Sequence, residues 1–229
     1  MKYLSLEGSM FDINIVHRLP FSFDASLLLK DLEKAENHQM YTHPLKYHDG
    51  NWKTLNLIYA GGRVNYDHSG DLGYGDEPAI PTIVLNECAY FQKVLDSFKA
   101  PILMARLSAL PPGSKVLPHY DPVESADFGY LRIHIPIRTD KNVKFRLGFV
   151  RRKWQQGECW YGDFTFPHSV MNDSDISRVH LIVDLQLNDW AKALLPKDFE
   201  ENRQLRERFR KIHKNILWYK NRIKRLISK

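Results

Sequence analysis

Residues 117–122, LPHYDP, set a histidine and a carboxylate two positions apart between two prolines. In extended chain alternate side chains leave on the same side, so His119 and Asp121 can address one point in space. Such a pair is common by chance, and a proline-bracketed turn can carry it with no chemistry at all. A third residue changes its weight. His168 lies far downstream in DFTFPHSVMNDSDISRVHLIVDL, at the expected end of a strand, and Arg178 follows ten residues later at the start of the next. Two imidazoles and one carboxylate, two close in sequence and one remote, form the facial triad that holds non-haem Fe(II). That donor set covers one face of an octahedron and leaves three positions for a bidentate 2-oxo acid and O2. The far carboxylate of a 2-oxo diacid needs a permanent cation in a buried pocket, which the guanidinium of Arg178 can supply in bidentate form.

Other residues join this set less securely. In LRIHIPI, Arg132 and His134 alternate with apolar residues and so share one face, as His180 does with Arg178. A basic pair facing into a barrel is costly unless an anion meets it; the polar outer face of a half-exposed strand would read the same way. Asp163 fits either a turn or a partner that orients an imidazole. Asn172 reads as a turn residue, and Trp160 as a core filler.

The elements that would position these residues can be read from periodicity. FDINIVHRLPF (11–21) alternates as a strand does, and Asp24 then caps a helix carrying ASLLLKDLEKAEN. WKTLNLIYA is a further strand. The glycine-rich stretch 61–78 is too long and irregular for a hairpin turn and is the candidate lid, with Arg63, Asp67 and Asp71 as candidate contacts to a zwitterionic substrate. A helix is expected over ECAYFQKVLDSF, capped by Asn86. From Pro101 to Asn188, short β-rich runs alternate with Pro, Gly, Asp and Asn, the pattern of an antiparallel jelly roll. After that, Leu205, Phe209, Ile212, Ile216, Tyr219, Ile223 and Leu226 stand three or four apart among basic residues, as in one amphipathic helix or a pair. The expectation is a mainly β protein with flanking helices: a double-stranded β-helix (jelly roll, cupin-like) over 1–190 and a basic helical extension over 191–229. The extension would pack on the body or on a second subunit, and it offers a homodimer contact.

Composition restricts the function classes. The net charge of +6 divides unevenly: residues 201–229 hold eleven Lys or Arg against two Glu, whereas the remainder is slightly acidic, with 22 basic and 25 acidic residues. A nucleic-acid partner is therefore not expected for the body. No run approaches the roughly 20 apolar residues of a membrane span. The first residues lack the pattern of a secretory signal, and the two cysteines are far apart. A cytoplasmic protein is expected.

Taken in order, LPPGSKVLPHYD, LRIHIPIRT, GECWYGD and HSVMNDSDISRVHLIVDL resemble the aspartyl/asparaginyl β-hydroxylase family of Fe(II)- and 2-oxoglutarate-dependent oxygenases. More narrowly, they are similar to its small bacterial members of the cis-4-proline hydroxylase type. The resemblance implies that His119, Asp121 and His168 bind iron and that Arg178 binds the distal carboxylate of 2-oxoglutarate, with Arg132 and His134 supporting the same cosubstrate. It implies hydroxylation of an unactivated C–H bond, with 2-oxoglutarate and O2 consumed and succinate and CO2 released. The carboxylate at Asp121 favours a hydroxylase over a halogenase, which needs that coordination position for a halide. A free amino acid or amino-acid-derived small molecule is the expected substrate, ahead of a residue within a peptide or protein. A metal-binding jelly roll without oxygenase activity, acting as a binding or sensing module, is the rival from another class.

Overall fold

The computed structural model describes residues 13–66, 74 and 77–227. Twelve strands are described: β1 (Val16–Ser22), β2 (Tyr41–Thr42), β3 (Lys53–Ala60), β4 (Ala79–Pro81), β5 (Ile102–Leu110), β6 (Lys115–His119), β7 (Tyr130–Arg138), β8 (Val143–Leu147), β9 (Val150–Arg152), β10 (Glu158–Gly162), β11 (His168–Asn172) and β12 (Arg178–Gln186). The helices are α1 (Ala25–Ala35), α2 (Ile83–Asn86), α3 (Ala89–Asp96), α4 (Asp189–Lys192) and α5 (Arg203–Ile227), and a single 3-10 turn spans Ala126–Phe128.

The strands form two antiparallel sheets in a jelly-roll arrangement. The larger runs β1-β10-β7-β12-β5-β3-β2 with β4 beside β3, and the smaller runs β6-β11-β8-β9. Side-chain alternation divides the large sheet into two unlike faces. One face carries Ala105, Leu107, Ile133, Ile135, Leu181 and Val183, and buries them with Leu28 and Leu32 of α1 and Phe91, Val94 and Leu95 of α3. The other face looks toward the small sheet and carries Arg106, Ser108, Arg132, His134, Arg178, His180 and Asp184 among apolar neighbours. A second apolar cluster of Trp52, Val116, Phe145, Trp154, Phe164 and Val170 fills part of that interior.

The helices show how local chemistry sets boundaries. Asp24 caps α1, accepting from the backbone N–H of Ser26 (2.9 Å) and of Leu27 (3.2 Å). The helix expected over ECAYFQKVLDSF is present as α3 but is not capped by Asn86: Asn86 ends the short preceding helix α2, and α3 starts after Cys88, whose side chain makes no capping bond. The buried Asp31 of α1 does that work from outside, accepting from Tyr90 N (2.6 Å) and Phe91 N (3.0 Å). Gly157, at φ +76°, is required where it stands, because a Cβ there would lie 2.1 Å from the Phe23 carbonyl oxygen.

The C-terminal segment forms one 25-residue helix, α5. Its first half packs on the body through Arg206, Phe209 and Arg210, whereas Ile216, Tyr219, Ile223 and Leu226 are exposed. Asp163, expected to close a turn or orient an imidazole, accepts from Arg210 of this helix (2.8 Å) and from Thr165 N (3.1 Å). Asn172 does close a turn, with its side-chain N–H donating to Ile176 O (2.8 Å) and Leu110 O (2.8 Å). Cys88 and Cys159 are buried and unpaired. No described helix is long and apolar enough to cross a membrane.

Candidate metal and cosubstrate site

The small sheet supplies the metal-ligand candidates. His119 ends β6, where an edge strand tolerates Pro118. His168 begins β11, not the end of a strand as expected from the sequence, and is the direct cross-strand partner of His119. Their ring centroids are 4.2 Å apart. Asp121 follows β6, fixed by its own N–H donating to Phe164 O (2.9 Å). Its carboxylate reaches to 3.7 Å from His119 Nε2 and 4.0 Å from His168 Nε2. One ligand atom from each residue lies within 4.8 Å of the other two.

The hydrogen bonds set the chemistry of this cluster. His119 Nδ1 is 2.8 Å from Leu117 O, and His168 Nδ1 is 3.1 Å from Phe166 O. A carbonyl can only accept, so both Nδ1 atoms carry the proton and both Nε2 lone pairs face the centre. Burial, reinforced by His119, pushes His168 down to about 3, so it stays neutral. Burial alone would raise the Asp121 carboxyl, but Arg132, His168 and His119 outweigh it and hold the group below its ordinary value. Two imidazoles and a carboxylate converging from one side fit a divalent transition metal.

The large sheet forms the opposite wall. The cavity between them holds about 530 Å3 and is lined by the three ligand candidates together with Arg106, Arg132, His134, Arg178, Trp52 and Tyr66 among others. Arg132 donates from Nε and Nη2 to Asp184 (both 2.6 Å), from Nη1 to Asp121, and from Nη2 to Glu124 (3.4 Å). It is thus committed to three carboxylates, which hold its guanidinium firmly protonated against the cost of burial.

Arg178 is placed very differently. It is only 4% exposed, and among the described residues its Nε has no partner and its one hydrogen bond is to His180 Nδ1 (2.8 Å). Burial without a counter-charge pushes the guanidinium down to about 9. Beside it, His134 stacks on Phe164 at 4.6 Å and also has an unpartnered buried Nε2. Burial, with Arg178 and Arg132 nearby, keeps His134 neutral.

The substrate contacts expected from the glycine-rich stretch fare unevenly. Arg63 pairs with Glu77 (2.9 Å) and does not line the cavity. Asp67, Asp71 and half of the candidate lid lie outside the described residues. Sequence reasoning missed Arg106, Asp184 and Glu124 in the cavity region. The first two stand at alternating positions in otherwise apolar strands, MARLSAL and LIVDLQ, and that pattern was the available signal.

The chain is similar in sequence to known proteins. The chain is 21% identical over 182 residues to L-proline cis-4-hydroxylase of Rhizobium meliloti (strain 1021), covering 76% of this chain and 61% of that protein. It is 28% identical over 111 residues to aspartyl/asparaginyl beta-hydroxylase of Mus musculus, covering 48% of this chain and 14% of that protein. The chain thus spans less than two thirds of the length of either relative. Among solved structures, a Pseudomonas putida prolyl-4-hydroxylase aligns with a TM-score of 0.49 at 10% identity, over 76% of this chain and 94% of that one. The model of the aspartyl/asparaginyl beta-hydroxylase family matches residues 24–187, a span that holds every described strand except β1 and every cavity residue named above, and the chain belongs to that family.

Proposed function

We propose that this protein is an Fe(II)- and 2-oxoglutarate-dependent hydroxylase acting on an unactivated C–H bond of a free amino acid or an amino-acid-derived small molecule. One observation carries the reading: Arg178 is a buried guanidinium with no carboxylate partner among the described residues, in the same cavity as the His119, Asp121 and His168 cluster. An uncompensated cation at that depth is costly, and an anionic ligand removes the cost. In this reading His119, Asp121 and His168 hold the iron, whose bound form would supply O2 activation coupled to decarboxylation of the 2-oxo acid. Arg178 takes the distal carboxylate of 2-oxoglutarate. His134 offers its free Nε2 to the same cosubstrate, and Arg132 serves the site by keeping Asp121 ionised and oriented. The apolar walls, with Trp52, Phe145 and Phe164, limit water around the ligands. The name of the Rhizobium relative supports a small amino acid as substrate.

The test is anaerobic titration of the metal-free protein with Fe(II) and then 2-oxoglutarate, following the visible absorption of the chelate. Wild type should develop the band. Asp121→Ala should fail to hold iron, and Arg178→Met should need roughly a hundredfold more 2-oxoglutarate, the scale for losing one partner of a buried charge pair. Iron bound to wild type with no band at saturating 2-oxoglutarate would refute the reading.

A further inference from the structure

Three arginines face the cavity, and their charges are balanced differently. Arg132 has Asp184, Asp121 and Glu124. Arg178 has no carboxylate but is assigned above to 2-oxoglutarate. Arg106 is left over. It is 6% exposed and sits on β5 opposite Ile182 of β12 and Asn56 of β3. Its Nη1 donates to the Tyr66 hydroxyl and approaches the Met104 sulfur (3.3 Å), while its Nε has no partner. Among the described residues it forms no ion pair with any carboxylate.

The neighbours do not neutralise it. Burial raises the Tyr66 phenol despite Arg106, so that hydroxyl brings no negative charge. His43 stacks on Trp52 at 3.7 Å, and burial together with Arg106 pushes it down to about 2, so it is neutral too. Nor is one cosubstrate enough for both free arginines. On the paired strands Arg178 faces Leu110 and Arg106 faces Ile182, four residues along β12, which is roughly 13 Å of sheet. With the distal end of 2-oxoglutarate at Arg178 and its 2-oxo end at the ligand cluster, Arg106 acts on Asp121 only at a distance and still has no ion-pair partner among the described residues.

We infer that Arg106 is a substrate-anchoring residue that binds a carboxylate of the molecule to be hydroxylated, so that the cavity takes two anions at once, 2-oxoglutarate at Arg178 and a carboxylate-bearing substrate at Arg106. The assignment rests on the oxygenase reading only in giving Arg178 to 2-oxoglutarate. The carboxylate has two sources, the α-carboxylate of a free amino acid or an acidic side chain in a peptide. A cavity of about 530 Å3 with one spare cation favours the free acid, and the experiment separates the two.

Isothermal calorimetry on the Mn(II)-loaded, 2-oxoglutarate-saturated protein would screen the twenty common L-amino acids, the α-carboxamide of every acid that binds, and N-acetyl-L-aspartic acid α-amide as the peptide stand-in. At least one free acid should bind, with its carboxamide weaker by about a hundredfold. Arg106→Met should remove that difference by weakening the acid alone, and should leave 2-oxoglutarate affinity within about twofold, since Arg178 is untouched. Binding of the aspartyl stand-in alone would keep Arg106 as the anchor and move the substrate to peptides. Equal affinity of acid and carboxamide in wild type, unchanged acid affinity in Arg106→Met, or no binding by any acid would overturn the proposal. The wild-type comparison decides the matter even if Arg106→Met does not fold. Absence of 2-oxoglutarate binding would instead strike the oxygenase reading, and the amino-acid titrations repeated without cosubstrate would still report on Arg106.

Discussion

Replacing Arg206 by methionine tests whether α5 is integral to the fold. The Arg206 side chain is fully buried. Its Nε and Nη2 donate to the two oxygens of Asp127 (3.0 and 2.6 Å), and its Nη1 donates to Phe199 O (2.7 Å) and Ile13 O (3.4 Å). Its guanidinium carbon lies 3.6 Å over the Phe199 ring. Removing one member of a buried pair costs about 3–5 kcal/mol. Here the loss falls at the lower end, because Arg210 still donates to Asp127 (2.7 Å) and methionine refills much of the volume. For a chain of this length about 3 kcal/mol corresponds to a melting temperature lower by roughly 6–12 °C. Glu207→Gln, which breaks only the exposed pair with Lys211 (2.9 Å), is the control and should melt with wild type. Thermal melts and urea midpoints on both variants would decide. An Arg206→Met melt within about 2 °C of the control would mean that the Arg206–Asp127 contact contributes nothing net.

The same cluster predicts a pH effect. Burial raises the Asp127 carboxyl, but its bonds to Arg206 and Arg210 outweigh that and hold it below its ordinary value. A carboxyl depressed in the folded state stabilises above its unfolded value, near about 3.9, and that contribution is lost as pH falls through the folded value. Wild type should therefore lose more stability than Asp127→Asn between pH 6 and pH 3 in urea titrations, and parallel losses would contradict the assignment. A further test concerns α3: Asp31→Asn should cost about 1–2 kcal/mol, the scale of a lost helix cap, and should lower hydrogen-exchange protection at the N-terminus of α3 before it affects β5 or β12.

The β-rich half of the chain was legible because its signals are local. Period-two alternation and Pro/Gly/Asp punctuation marked β5, β7, β8 and β12 directly, and the heptad-like spacing after Leu205 marked α5. The start of α3 was not legible, because the group that satisfies its first N–H bonds is Asp31, nearly sixty residues away. His168 was placed on the wrong end of its strand for a similar reason. PHSVMN has the polarity of a turn, and only pairing with β6 and β8 makes it a short strand. The role of α5 was hidden too. Its periodic stripe suggested an apolar seam, yet the residues it buries most completely are Arg206 and Arg210, whose acidic partners, Asp127 in the 3-10 turn and Asp163 in a loop, lie in segments that carry no pattern pointing to them.

The cavity arginines show where sequence reading stops for a physical reason. Alternation can place Arg132, Arg178 and Arg106 on one face of the sheet, since all three stand among apolar residues in extended runs. It cannot say which of them is already neutralised, because that depends on carboxylates brought in from other elements. Asp184 faces Arg132 in register across β7 and β12, and Asp121 arrives from the far sheet. Arg178 has no such neighbour in register, for its partner on β5 is Leu110. Three similar strand arginines therefore carry different chemistry. The one with three carboxylates is held in place and holds Asp121 in turn. The other two pair with no carboxylate among the described residues, and an anion entering the cavity would offset the positive charge they leave there.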